Sequence, residues 1–291
     1  MFSRKKSVLL FLLPGLLMIL VFYIIPFAGG VAYSMTGRIY NPEMGVTQTK
    51  FVALNNYEKL WKNQMFQLGL KNTLELSALC TPILWLLSLV LSVFLEESID
   101  SSSFFRSSTL LPYLLPSSAM LLIWLVAFDY GGPINRINGI LGFDRVMWLE
   151  SAALRTPIIL MFIWKNLGFC IIIFSAALQA IPQSLYEYAI LEGAGFLTRV
   201  FRITLPLITP SAFLIFVLAW VNAFKVFKEV YFIGGAYPDY SVYTLQNYMN
   251  NMFSKLDYQN VTAAAYTFAF IVAIMFACLF LIQRRISDGQ N

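Results

Sequence analysis

The sequence predicts an all-α, polytopic membrane protein with six transmembrane helices. Composition is the first observation: of 291 residues, 59% are hydrophobic and 12% charged, about half the charged share of a soluble domain. Mean hydropathy, at +0.70, is the second. The third is a set of uncharged runs: Ser7–Gly37, Leu76–Leu95, Ser107–Phe128, Asn166–Tyr186, Ile203–Phe224 and Tyr258–Gln283. Each reaches about 20 residues, enough to cross a hydrocarbon core about 30 Å thick.

These runs place the spans at about 7–30, 74–95, 107–129, 157–180, 207–232 and 260–283, within a single domain, 1–291. Span one follows Arg4, Lys5 and Lys6. A signal peptide is the competing reading, but the run is too long for its apolar region and five spans follow, so a retained helix is expected. Between spans one and two, the segment from Arg38 to Lys71 is polar and too short for a domain of its own. Pro112 and Pro116 are expected to kink span three. Asp129 to Arg155 reads as an interfacial loop with a short helix, and Gly234 to Asp257 as a loop rich in Tyr and Asn. Span four begins near Pro157 and carries Lys165.

Orientation follows from charge. Arg4, Lys5 and Lys6 at one end and Arg284 and Arg285 at the other make both termini basic, and an even number of spans puts them on one side, the cytosol. The net charge of +5 is then accounted for by basic loops that set topology and meet anionic lipid, and no nucleic-acid partner is implied.

Between spans four and five lies a polar island, Glu187 to Pro210. Ser184 and Glu187 have capping-box spacing, so a helix is expected from Ser184. Gly193 and Gly195 end it. A second helix carries Phe196, Val200, Ile203 and Leu207 as an apolar stripe, with Arg199 and Arg202 on another face. Pro206 is expected to end this helix and Pro210 to open the next. A plain amphipathic connector is the alternative.

Several chemistries are disfavoured. The chain contains no histidine, and Cys80, Cys170 and Cys278 sit far apart in apolar stretches, so no metal centre or disulfide framework is suggested. There is no Gly-x-x-x-x-Gly-Lys-Ser/Thr phosphate loop. ATP, if it drives this protein, is bound by another polypeptide. The uncharged runs hold no Asp or Glu, which argues against an ion-coupled carrier; Glu75 and Glu229 lie near span ends.

Lys165 lies about 15 Å into span four at 1.5 Å per residue. It reads as a pathway residue, as one half of a structural pair, or as a lysine snorkelling through a kink. Lys225 and Lys228, near the end of span five, read as snorkelling cations. Trp220, Asn222, Phe224, Phe227 and Tyr231 mix aromatic surfaces with an amide, the combination a sugar's ring faces and hydroxyls require. Asn222 is the leading candidate because an amide inside a span needs a partner.

Glu187, Ala189, Glu192, Gly193, Ile203, Leu205 and Pro206 resemble the EAA loop of the membrane subunits of ATP-binding-cassette importers. Two departures are Tyr188, where the family often has Ala, and Glu192, where Asp is common. Asn55-Asn56-Tyr57-Glu58, Asn72-Thr73-Leu74, Phe105-Arg106, Leu111-Pro112-Tyr113, Trp164 to Phe169 and Ala177 to Pro182 resemble the carbohydrate-uptake branch, whose best-known type is the maltose permease subunits.

The resemblance implies a type I ABC importer transmembrane domain and a sugar substrate. It implies a coupling loop at about 182–206, with Glu187, Ala189, Glu192, Gly193, Arg199 and Pro206 meeting a cytosolic ATPase dimer. A second homologous permease and an extracytoplasmic solute-binding protein complete the assembly. The permease is then non-catalytic and holds no cofactor, ATP and magnesium belonging to the ATPase. The expected location is the cell membrane of a bacterium or archaeon. A permease for glycerol phosphate, polyamine or amino acid, and an ion-coupled secondary carrier, are the rival readings.

Overall fold

The computed structural model describes residues 4–41, 46–97 and 102–288. The side chains of Arg4, Lys5, Lys6, Phe105 and Arg106 lie outside the described residues. Among the described residues, six helical segments are long and apolar enough to cross a membrane. The chain divides into two compact units, Met1–Gln67 with Tyr248–Asn291, and Leu68–Asn247.

In the first unit, α1 (Arg4–Ile19), a π turn (Leu20–Ile24) and α2 (Ile25–Ser34) run on as one rod. The π turn precedes Pro26. Proline lacks an N–H and its ring crowds the carbonyl four residues back. Widening the preceding turn, with Ile25 N–H donating to the Leu20 carbonyl, lets the helix continue.

A two-stranded hairpin follows, β1 (Thr36–Asn41) against β2 (Val46–Phe51), with Thr36 opposite Phe51. Sequence pattern identifies this segment only as a polar connector; β-branched residues at Val46, Thr47 and Thr49 favour the strand. Then comes α3 (Asn55–Lys62). Asn56 is buried and its amide donates to the carbonyls of Ser34 and Thr36, both at 2.7 Å, fixing α3 to the end of span one.

The sixth span, α14 (Tyr258–Asp288), packs on α2 and α3. Tyr266 donates to the Phe27 carbonyl at 2.6 Å, and a Cβ at Gly30 would overlap that hydroxyl.

The second unit holds most of α4 (Gln64–Glu97), then α5 (Ser102–Leu114), α6 (Ser117–Phe128), α7 (Pro133–Ile140) and α8 (Arg155–Gln179). The expected kink in span three is a break: α5 stops at Leu114 and Pro116, with extended ψ of 133°, caps α6. The interfacial helix expected between Asp129 and Arg155 is α7.

Helix α8 sits at the centre, packed on α5 and on α11 (Leu205–Ala223). Its Ile158, Phe162 and Phe174 share a core with Leu84, Ile215 and Val230. A Cβ at Gly168 would run into the Thr109 carbonyl, so the glycine permits the close α5–α8 crossing. Trp85 donates to the Ala212 carbonyl at 2.8 Å, and Ser92 to that of Ile171 at 3.2 Å.

The stretch expected to be a Tyr/Asn loop contains a helix, α13 (Leu245–Ser254). Its approach is held by Asn72, which donates to the carbonyls of Tyr240 (2.7 Å) and Tyr243 (2.9 Å), and by Thr73 Oγ1, which accepts from Leu245 N–H at 2.9 Å.

Candidate functional site

Two places gather the chemistry-bearing residues of the second unit. One is a helical knob between spans four and five. Its first helix, α9, runs Gln183–Leu191 and is capped by Pro182, so it starts one residue before the expected Ser184. No capping box forms. Proline's fixed φ already sets the entry, and the Pro182 carbonyl accepts from Leu185 N–H at 3.2 Å.

The helix ends as expected at Gly193, whose φ is +79°. Ala194 N–H donates to the Ala189 carbonyl (2.8 Å) and Gly193 N–H to that of Ile190 (2.9 Å), the paired closing bonds of a left-handed helix end. Ala189 thus serves through its carbonyl. Gly195 does not end this helix; at φ −70° it caps α10 (Phe196–Arg199).

Pro206 does not end the second helix either. Here α10, a π turn (Val200–Thr204) and α11 are continuous, and Pro206 lies in the first turn of α11. The device is the one used before Pro26: Leu205 N–H reaches back to the Val200 carbonyl, and the wider turn accommodates the ring. The extra residue also shifts the apolar stripe. Phe196, Val200 and Ile203 are half-buried, but Leu207 is exposed and Thr204 and Ile208 are buried in its stead. Pro210, expected to open a helix, lies inside α11.

Tyr186 and Thr204 share a hydrogen bond of 2.9 Å, tying α9 to the π turn. Behind it is a cavity of about 620 Å³ lined by Val93, Gln179, Ile190 and Arg199 among others. The outward surface carries large uncovered apolar side chains: Leu191 is 83% exposed, Tyr188 67% and Leu197 66%. Glu187 and Glu192 are exposed at its margin and form no ion pair among the described residues. A rigid, protruding body with an uncovered apolar face is suited to seating against another protein.

The other place is the interior around Lys165. Its ammonium donates to Glu229 Oε1 at 3.1 Å and to Ser117 Oγ at 2.9 Å. Glu229 lies on α12 (Phe227–Gly234) and is 6% exposed. The structure therefore gives Lys165 a partner that the sequence reading does not name. A signal is present: Glu229 is the one carboxylate between Glu192 and Asp239. Glu229 Oε2 is buried without a hydrogen-bond partner among the described residues.

Trp220, half-buried, lies between Phe216 (6.0 Å) and Phe224 (5.9 Å). Asn222, two residues on, falls about 200° around the helix from Trp220, so the two do not share a face. Its side-chain amide has no partner among the described residues. Tyr231 is 41% exposed and packs on Phe227 at 5.3 Å. Lys225 and Lys228 are exposed.

A family model described as "Binding-protein-dependent transport system inner membrane component" matches residues 76–290. The chain is 29% identical to the diacetylchitobiose uptake system permease protein NgcF of Streptomyces coelicolor, over 100% of this chain and 86% of that one. It is 28% identical to the trehalose/maltose transport system permease protein MalF of Thermococcus litoralis (96% and 94% covered). It is 31% identical to the sn-glycerol-3-phosphate transport system permease protein UgpA of Salmonella typhimurium (72% and 70%). In fold it resembles a chain of a bacterial ABC transporter that imports the acidic polysaccharide alginate, with a TM-score of 0.83 at 23% identity over 97% of this chain and 96% of that one.

Proposed function

This chain belongs to the family of binding-protein-dependent transport system inner membrane components, and from that premise we propose that it forms part of the import path for a sugar or oligosaccharide, driven by a separate ATPase. The observation that carries the reading is the knob. It is held rigid by the Tyr186–Thr204 hydrogen bond, turned at Gly193, and faced with Leu191, Tyr188 and Leu197.

On this reading both termini are cytosolic and the knob seats in a cytosolic ATPase dimer, with Glu187, Ala189, Glu192, Gly193, Arg199 and Pro206 forming or shaping the contact. ATP and magnesium stay on the ATPase, and this chain makes and breaks no covalent bond. A second permease closes the path and a solute-binding protein delivers the solute. Closure of the ATPases pushes the knob, and the push swings the attached spans. Trp220, Asn222, Phe224 and Tyr231 contribute stacking surface and an amide to the path.

A neutral sugar is preferred over a sugar phosphate because the buried cation, Lys165, is already neutralised by Glu229. The relatives named for diacetylchitobiose and trehalose/maltose support the same choice.

The test is purification of the assembly from native membranes and its reconstitution in proteoliposomes. A co-purifying ATPase and sugar uptake that requires ATP are expected. Uptake without ATP, from a particle lacking any nucleotide hydrolase, overturns the reading.

A further inference from the structure

We infer that a cleft in the first unit is a binding site for a phosphate ester, presented by the headgroup of an anionic phospholipid. The cleft has a volume of about 480 Å³ and lies between the start of β1, the entry to α3 and the turn before α14. Arg38, Lys59 and Lys255 line it. None of the three has an acidic partner among the described residues. The one carboxylate on the wall, Asp257, is engaged by Asn260, whose side-chain nitrogen donates to it at 2.6 Å. Three like charges around one hollow repel each other, and an anion between them relieves that repulsion.

Its position favours a lipid. Span one ends at Ser34 and span six begins at Tyr258, so the cleft lies where the apolar rods leave the hydrocarbon, the depth at which phosphates sit. The residues beside it are apolar and uncovered: Phe51 is 72% exposed, Leu54 63% and Leu256 56%. Such side chains beside a cationic hollow suit acyl chains on one side and a headgroup on the other.

The backbone gives a second, independent indication. Among the described residues, the non-glycine residues with left-handed φ are Ala53 (+49°) and Leu256 (+59°). Leu256 lines the cleft, and Ala53 lies between two of its lining residues, Val52 and Asn55. Helix α13 closes at Leu256 with Asp257 N–H donating to the Met252 carbonyl at 3.0 Å, a position glycine takes at no steric cost. A leucine held there, with most of its side chain uncovered by protein, is strain retained where a surface outside the chain has use for the side chain.

The test is native mass spectrometry of the full chain released from nanodiscs containing phosphatidylglycerol and phosphatidylethanolamine. Phosphatidylglycerol retention is compared between wild type and Arg38→Gln, Lys59→Gln and Lys255→Gln, singly and together. Each neutralisation is expected to lower retention about fivefold, with gel-filtration profiles unchanged. Leu256→Gly, which relieves the strain and removes the side chain, is expected to lower retention while raising thermal stability.

Retention unaltered in the triple variant overturns the proposal. So does displacement of the lipid by inorganic phosphate, which assigns the hollow to a free anion. Unchanged lipid retention with weakened capture of the solute-binding protein also overturns it, in favour of a protein contact. None of these readouts depends on ATP or transported solute, so the proposal stands or falls apart from the transport reading.

Discussion

Lys165 and Glu229 meet at 3.1 Å in the interior of the second unit, 19% and 8% exposed at their side chains, joining α8 to α12. Ser117, the first residue of α6, takes a second hydrogen bond from the same ammonium at 2.9 Å. One cation therefore bridges three helices at the point where Pro116 breaks span three.

A buried pair costs more to halve than to remove, because the survivor is left charged without a counterpart. Lys165→Met and Glu229→Leu are each expected to destabilise by up to about 3–5 kcal/mol. The double variant is expected to recover much of the loss. Thermal unfolding in detergent, arranged as a double-mutant cycle, measures the coupling; strictly additive losses would refute it.

At Gly168 the constraint is steric. Any Cβ meets the Thr109 carbonyl, backbone that cannot rotate away. Gly168→Ala is expected to cost about 1–3 kcal/mol by forcing α5 from α8, and Gly168→Leu to prevent accumulation of folded protein. Gel-filtration yield reports both outcomes.

Gly193 separates conformation from clearance. A Cβ there would have no atom within 4 Å, so the space is open, but the residue's φ is +79°. Gly193→Asn, which tolerates left-handed backbone, is expected to keep assembly and transport close to wild type. Gly193→Val is expected to cost about 1–2 kcal/mol locally and uncouple transport from ATP hydrolysis. If the bulky, strained Gly193→Trp transports normally, the knob is not the docking element.

Asn222→Ala is expected to raise the substrate concentration needed for half-maximal uptake, about 5–150-fold if one hydrogen bond of about 1–3 kcal/mol is lost. Uptake assayed over the full concentration range decides it, and an unchanged curve removes Asn222 from the path.

The Asn72 amide is one of the ties that hold the loop before α13. Asn72→Leu leaves the carbonyls of Tyr240 and Tyr243 without their donor, at a cost of about 1–3 kcal/mol. Faster proteolytic nicking between Tyr237 and Thr244 is the expected readout.

Hydropathy is enough to show six spans, since a stretch of some twenty apolar residues admits little besides a membrane helix. It is silent on the hairpin, whose strands are only six residues each. It also misses α13, where Tyr and Asn resemble loop composition until Tyr248 and Asn247 are seen to be buried. The turn at Gly193 is legible because left-handed backbone strongly selects glycine. The behaviour of Pro206 is not: proline announces a missing donor, but whether the chain stops or widens its turn depends on packing beyond the local sequence. Glu229 escapes for a similar reason. Its partner is 64 residues away, and no periodicity links α8 to α12.

The widened turn at Val200–Thr204 gives the joint between knob and span a definite phase. Drawing those five residues back to ordinary α pitch without removing one would rotate the knob by some tens of degrees around its own shaft. Leu191 and Tyr188 would then look toward a different quarter, intact but misaimed. The five residues Val200–Thr204 thus act as a keyway, setting the bearing on which the knob faces whatever engages it.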